Sequence, residues 1–195
     1  HPSSHKQSVH SLANYLCQNG YHIPGINLLI SAGSDSCAGQ GIAQNVDTMM
    51  GLGQWELVST WLERMPERVL VSQPRLLQVA GEIKCAQGDL IGAEHTYRLA
   101  GEAYLRKEDQ FGQVSSLLAL AALADRLGKA GEAWSHAQGA LRLAQKAQLG
   151  SQERSAELQI CLLALNAGDT TSALAHLERA RLKTDPNQEP RVATY

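Results

Sequence analysis

Seven histidines and four cysteines are the residues of this chain best able to hold a metal or act as nucleophiles, and their spacing organises neither chemistry. His1, His5 and His10 crowd the beginning with no carboxylate at ligand spacing among them. His95, His136 and His176 recur at nearly 40-residue intervals, which places them along the edges of repeated elements. Cys17, Cys37, Cys85 and Cys161 form no C-x-x-C pair, so zinc and redox motifs are absent. The pattern reads as four free thiols, mostly packed on helices as small apolar groups, in a reducing compartment, with two disulfides as the alternative. Serine is common, yet no Gly-x-Ser-x-Gly elbow occurs. Glu63 with Glu67, and Glu153 with Glu157, stand four apart, as on one helix face, and read as solvated surface. No G-x-x-x-x-G-K-[ST] loop and no G-x-G-x-x-G appears, and Gly51-x-Gly53 reads as a corner between helices. These absences predict no catalytic site, no metal and no cofactor in this stretch.

Polar side chains that could bind without reacting remain. They become visible once the chain is read as helices. The 195 residues are 44% hydrophobic, with 17 Lys and Arg against 19 Asp and Glu. A net charge of −2 argues against nucleic acid as the main partner, because neutralising phosphates needs a clustered cationic excess. The longest apolar runs, such as 117–124, fall far short of the roughly 20 residues that span a bilayer. No basic segment followed by an apolar run opens the chain, so the expected location is cytoplasmic. The first residue is His1, which reads as a processed or excised beginning. Ala and Leu dominate from Leu76 to Leu182 and only six prolines occur, so the local preference is helical.

Five glycines, Gly20, Gly53, Gly88, Gly128 and Gly168, punctuate this pattern at intervals of 33, 35, 40 and 40. Aligned on them, the flanks agree. Seven residues upstream stand Ala13, Val46, Gly81, Ala121 and Cys161; five downstream stand Gly25, Val58, Ala93, Ala133 and Ala173. The ninth downstream position holds Leu29, Leu62, Tyr97, Ala137 and Leu177, and the twelfth Ala32, Met65, Ala100, Ala140 and Ala180. This is the signature of helical hairpins. A glycine in the left-handed conformation ends the first helix, and Asp89 or Asp169 suits the N-terminal turn of the second. Small facing residues let the two helices approach, while the ninth position fills the gap to the next hairpin. One hairpin cannot bury its own apolar face, so neighbours must stack. The expected fold is all-α, a right-handed superhelical solenoid of about five hairpins covering residues 1–183, with 184–195 a flexible tail or linker. Ten helices are predicted, approximately 4–18, 24–32, 36–50, 54–64, 74–87, 90–106, 110–127, 129–147, 151–167 and 170–183, with a short turn between Glu67 and Val71.

The string Gly88, Ala93, Tyr97, Ala100, with Gly81 upstream, resembles a tetratricopeptide repeat (TPR). The longer 40-residue period is similar to the repeats of MalT-type regulators, the maltose-regulon activator and its ATP-dependent relatives with LuxR-type DNA-binding ends. Trp61-Leu62-Glu63-Arg64-Met65-Pro66, followed by Gln73-Pro74-Arg75-Leu76-Leu77, resembles a signature of that group, as does the opening Tyr15-Leu16, Asn19-Gly20 before Ile26. The resemblance implies a non-enzymatic module that receives an inducer or an inhibitory protein and passes the signal to assembly. A small-molecule receptor for a neutral polar or sugar-like ligand, and a self-associating scaffold, are the other readings.

Counting inward-facing positions along the first helices predicts the binding stripe. It runs through Gln40, Gln44 and Asp47, then Arg75, Gln78 and Glu82, then Ser115, Asp125 and Arg126, and finally Gln159 and Asn166. Such an amide-rich, mixed-charge concave face suits a peptide or protein partner, or a small polar inducer, held by hydrogen bonds. Trp55, Trp61 and Trp134 are expected to fill gaps between hairpins, or to stand exposed as a stacking platform.

Overall fold

A computed structural model describes residues 2–183, with side chains from residue 7 onward. The predicted tail 184–195 lies outside the described residues. Eleven helices and no strand occur among them: α1 Pro2–Gln18, α2 His22–Ser31, α3 Asp35–Gly51, α4 Trp55–Arg64, α5 Glu67–Ser72, α6 Pro74–Gln87, α7 Leu90–Arg106, α8 Gln110–Arg126, α9 Ala130–Lys146, α10 Gly150–Asn166 and α11 Thr170–Leu182. The ten expected helices are all present within a few residues, and the expected short turn is α5.

All five repeat glycines are left-handed, with φ between 70° and 85°. Each hairpin turn closes with the same backbone bond from the residue after the glycine to the carbonyl five residues earlier, for instance Asp89 to Lys84 at 2.9 Å and Asp169 to Ala164 at 2.9 Å. Three of the four connections between hairpins use the same device. Gly33 supplies it before α3; Glu108 and Gln148, both at φ 56°, supply it before α8 and α10. From Gly88 to Gly168 a left-handed residue therefore recurs every 20 residues. The second-helix caps form as the sequence suggests: the Asp89 and Asp169 carboxylates accept from the backbone N–H groups of Gly92 and Ser172, each at 2.9 Å. Asp109 does the same for Gly112 at the start of α8.

The chain forms two compact units, residues 1–103 and 104–195, divided within α7. In the first, α1/α2, α3/α4 and α6/α7 form hairpins around a core that includes Ile26, Ile42, Val46, Val58, Trp61, Leu76 and Val79. Burying side chains of this size contributes about 1.5–3 kcal/mol each. Trp61 is buried and donates its indole N–H to Asn27 Oδ1 at 2.8 Å. Gly25 is buried where α2 meets Cys17 and Ala13 of α1. Gly81 faces the ring of Tyr97, and a Cβ there would collide with it. In the second unit, α8/α9 and α10/α11 pack through an alanine-rich seam of Ala121, Ala133, Ala137 and Ala140 against Ala156, Ile160 and Leu163. Every seventh-upstream and fifth-downstream position of the repeat alignment is buried.

Candidate functional site

The stripe predicted on the first helices is held in two groups, one in each unit. In the first unit Asp47 stands on α3, and Arg75 and Glu82 stand seven residues apart on one face of α6. Pro74 opens α6, which fixes Arg75 in its first turn. The Arg75 guanidinium bridges both carboxylates. Its Nε donates to Asp47 Oδ1 at 3.0 Å, Nη2 donates to the same oxygen, and Nη1 donates to Glu82 Oε1 at 3.0 Å. Burial pulls the Arg75 pKa down, but the hydrogen bonds and charges of Asp47 and Glu82 outweigh it and leave it above the ordinary arginine value. One cation between two carboxylates leaves this group with a net negative charge. Gln40 and Gln44 are exposed on α3, two turns and one turn before Asp47 respectively. Gln78 departs from its predicted place. It is buried in the first half of α6, beside buried Leu76, Leu77 and Val79, where α3, α4 and α5 all pack against that helix.

In the second unit the first helices α8 and α10 are tied together at two levels. Gln152 Nε2 donates to Ser115 Oγ at 2.8 Å and reaches the Phe111 carbonyl at 3.4 Å. Ten residues further along α8, or about 15 Å, Asp125 Oδ2 accepts from Asn166 Nδ2 at 2.8 Å. Gln159 is half-buried and Arg126 exposed. The structure thus joins Asp47 with Arg75 and Glu82, Asp125 with Asn166, and Ser115 with Gln152, a residue the sequence reading did not select. These side chains can orient a ligand by charge and hydrogen bonding.

Two surface assignments change. Glu153 and Glu157 are buried rather than solvated. Glu153 pairs with Lys183 Nζ at 2.9 Å, and Glu157 with His176 Nδ1 at 2.6 Å, so the two carboxylates lock α10 to the middle of α11 and to the residue after it. Glu63 and Glu67 are exposed as expected, but they stand on separate helices, α4 and α5, and share no helix face. Among the cysteines, Cys161 is buried against Ala164 and Ala173, and burial raises the Cys17 thiol pKa. Among the described residues, no group of three or more His, Cys, Asp and Glu could hold a metal ion, and no helix is long and apolar enough to cross a membrane. Of the tryptophans, Trp61 is buried, Trp134 half-buried and Trp55 exposed.

A cleft of about 410 Å³ opens in the first unit between α4, α5, α6 and α7. Its walls include Leu62, Leu70, Leu77 and Ile83, with Lys84 and His95 among its polar lining. The Lys84 ammonium donates to Thr96 Oγ1 at 3.0 Å. Sequence spacing gave no sign of this cleft, because it depends on where the extra helix α5 sits.

Left-handed turns, small facing residues and paired helices define a protein of the TPR-like helical-repeat class. Solved structures bear this out. The chain superposes on BtubC (BKLC) from P. vanneervenii with a TM-score of 0.59 at 16% identity, over 96% of this chain and 76% of that one. It superposes on a kinesin-light-chain-type protein of Podosopora anserina, built of nearly identical TPR-like repeats, with a TM-score of 0.60 at 16% identity, over 94% and 95% of the two chains. At this identity the likeness concerns the fold. No protein-family model and no curated protein matches the chain.

Proposed function

We propose that the chain is a non-enzymatic interaction and sensor module that binds a partner protein or peptide on the face of its first helices. The observation that carries this reading is the Asp47–Arg75–Glu82 group. Three charged side chains from two successive first helices converge at a half-exposed site, where an incoming acidic or basic group could exchange for one of the existing partners. The linked pairs of α8 and α10 repeat the arrangement, one with the neutral Ser115 and Gln152 and one with the Asp125 carboxylate and Asn166. TPR-like stacks suit this use, since their faces are extended and tolerate varied side chains.

The setting we propose is the signal-receiving and assembly region of a MalT-type transcription regulator in the cytoplasm. It is supported by the Trp61–Pro66 and Gln73–Leu77 strings, which flank the short helix α5. A second reading, a receptor for a small polar inducer, is favoured by the cleft between α4 and α7, whose volume lies in the usual range for small-molecule sites. The test is site-specific photo-crosslinking in cells that produce the protein, with p-benzoylphenylalanine at Gln44 or Arg126 on first helices and at Ile91 or Arg142 on second helices. The proposal expects one discrete protein adduct from the first pair. Adducts from the second pair alone would reject it.

A further inference from the structure

The ninth position after each hairpin glycine is buried in four hairpins, at Leu29, Leu62, Tyr97 and Ala137. In the fifth it is Leu177, which is 44% exposed. One helical turn earlier Leu174 is 63% exposed. Forty residues before it, in the same place on the preceding hairpin, Trp134 packs against Cys161, Ala164 and Ala173 of the hairpin that follows. Leu174 and Leu177 thus occupy a stacking surface. Leu165 of α10 extends it and is also exposed. Leu165 stands at the repeat position of Asp125, the residue that binds Asn166 of the next first helix.

The opposite face appears at the other end of the chain. Aligning Gly20 with Gly168 places Leu12 at the position of Ile160 and Tyr15 at that of Leu163. Ile160 and Leu163 are the side chains that α10 packs against Ala121, Ala124, Ala133 and Ala137 of the hairpin before it. Leu12 and Tyr15 hold the same places and are 52% and 62% exposed. Between Gln7 and Gln18, α1 carries no Asp, Glu, Lys or Arg, so seating it would desolvate no such charge of its own.

We propose that α1 of a second copy of this chain seats on α10 and α11, in the way that α10 and α11 seat on α8 and α9. The contact continues the interface between hairpins inside the second unit, with Leu12 and Tyr15 meeting Leu165, Leu174 and Leu177. It is heterologous, joining one end face to the other, so copies add head to tail. This inference does not depend on the first-helix binding face, which it leaves open.

Sedimentation velocity on the 195-residue chain from roughly 5 to 500 µM, the span of weak and small interfaces, tests it. The wild type is expected to sediment faster with concentration and to pass beyond a dimer. Leu174→Glu with Leu177→Glu, and separately Leu12→Glu with Tyr15→Glu, should each remain monomeric with an unchanged helical circular dichroism spectrum. An equimolar mixture of the two variants retains one good face of each kind, and should form a one-to-one complex that grows no further. Glutamine at the same four positions provides a milder pair with the same expected pattern. A wild type monomeric throughout, an end-face variant that associates by itself as the wild type does, or a mixture that stays monomeric would each overturn the proposal.

Discussion

Glu108 and Gln148 sit at φ 56°, where the other turns of the 20-residue series carry glycine. A side chain in that region meets its own backbone, at a cost of about 1–2 kcal/mol. Glycine removes this cost but adds about 0.5–1 kcal/mol of unfolded-state freedom. Gln148→Gly and Glu108→Gly should therefore each stabilise the protein by about 0.5–1 kcal/mol. For a chain of this size, that raises Tm by about 1–4 °C. The reverse change isolates the same effect. A Cβ on Gly128 or Gly168 would meet nothing within 4 Å, so Gly128→Ala and Gly168→Ala should destabilise through backbone conformation alone, by about 1 kcal/mol. Thermal and urea melts of the four single variants and of the Glu108/Gln148 double variant provide the measurement. The two turns share no contact in sequence, and the double variant should show additive gains. If both glycine replacements lower Tm while the alanine replacements leave it unchanged, loop entropy governs these turns and the conformational reasoning fails.

Ala133 is buried at the seam of α8 and α9, so Ala133→Leu should cost about 1–3 kcal/mol by overpacking, and Ala93→Leu likewise in α7. Leucine at exposed Ala175 should change stability by less than about 0.5 kcal/mol, and melts of the three variants compare them. His176→Leu leaves the buried Glu157 carboxyl without its partner and should cost about 1–3 kcal/mol. Combining it with Glu157→Met should recover most of that loss in the same melts. Hydrogen bonds from the Ser172 hydroxyl and backbone hold the Asp169 carboxyl below the usual aspartate range. The cap that it makes is thus fully present above the unfolded-state value of about 3.9 and is lost as pH falls through its lower folded value. Carbon-13 titration should place the Asp169 midpoint below 3.9, and a midpoint at or above it would contradict the cap.

Patterns local to a few turns of helix were readable in the sequence. The five hairpin glycines, the small facing residues from Ala13 to Ala173 and the Asp89 and Asp169 caps depend on neighbours less than about 20 residues away. Glu108 and Gln148 were not readable as left-handed, because neither is a residue that favours that conformation. Glu153 and Glu157 were misread for a different reason: their burial depends on Lys183 and His176, 30 and 19 residues further on. Gln152 could have been found, since it stands 37 residues beyond Ser115, close to the repeat period. Gln78 was placed on the stripe because helical periodicity assumes one solvated face, whereas α3, α4 and α5 all pack against α6 and Gln78 is buried there.

That recognition runs through the first helices is tested most directly by calorimetric titration of the cross-linked partner, once identified, against matched charge truncations on the two helix types. Arg75→Ala and Glu82→Ala remove charges from α6, and Glu94→Ala and Arg98→Ala remove an exposed pair from α7. All four should change stability by about 1 kcal/mol or less, as for partly exposed ion pairs. The α6 variants are expected to weaken binding by about 1–2 kcal/mol, the loss of a hydrogen bond to a charged group, and the α7 variants to bind as the wild type does. Weakened binding in the α7 variants, with the α6 variants unaffected, would contradict the assignment.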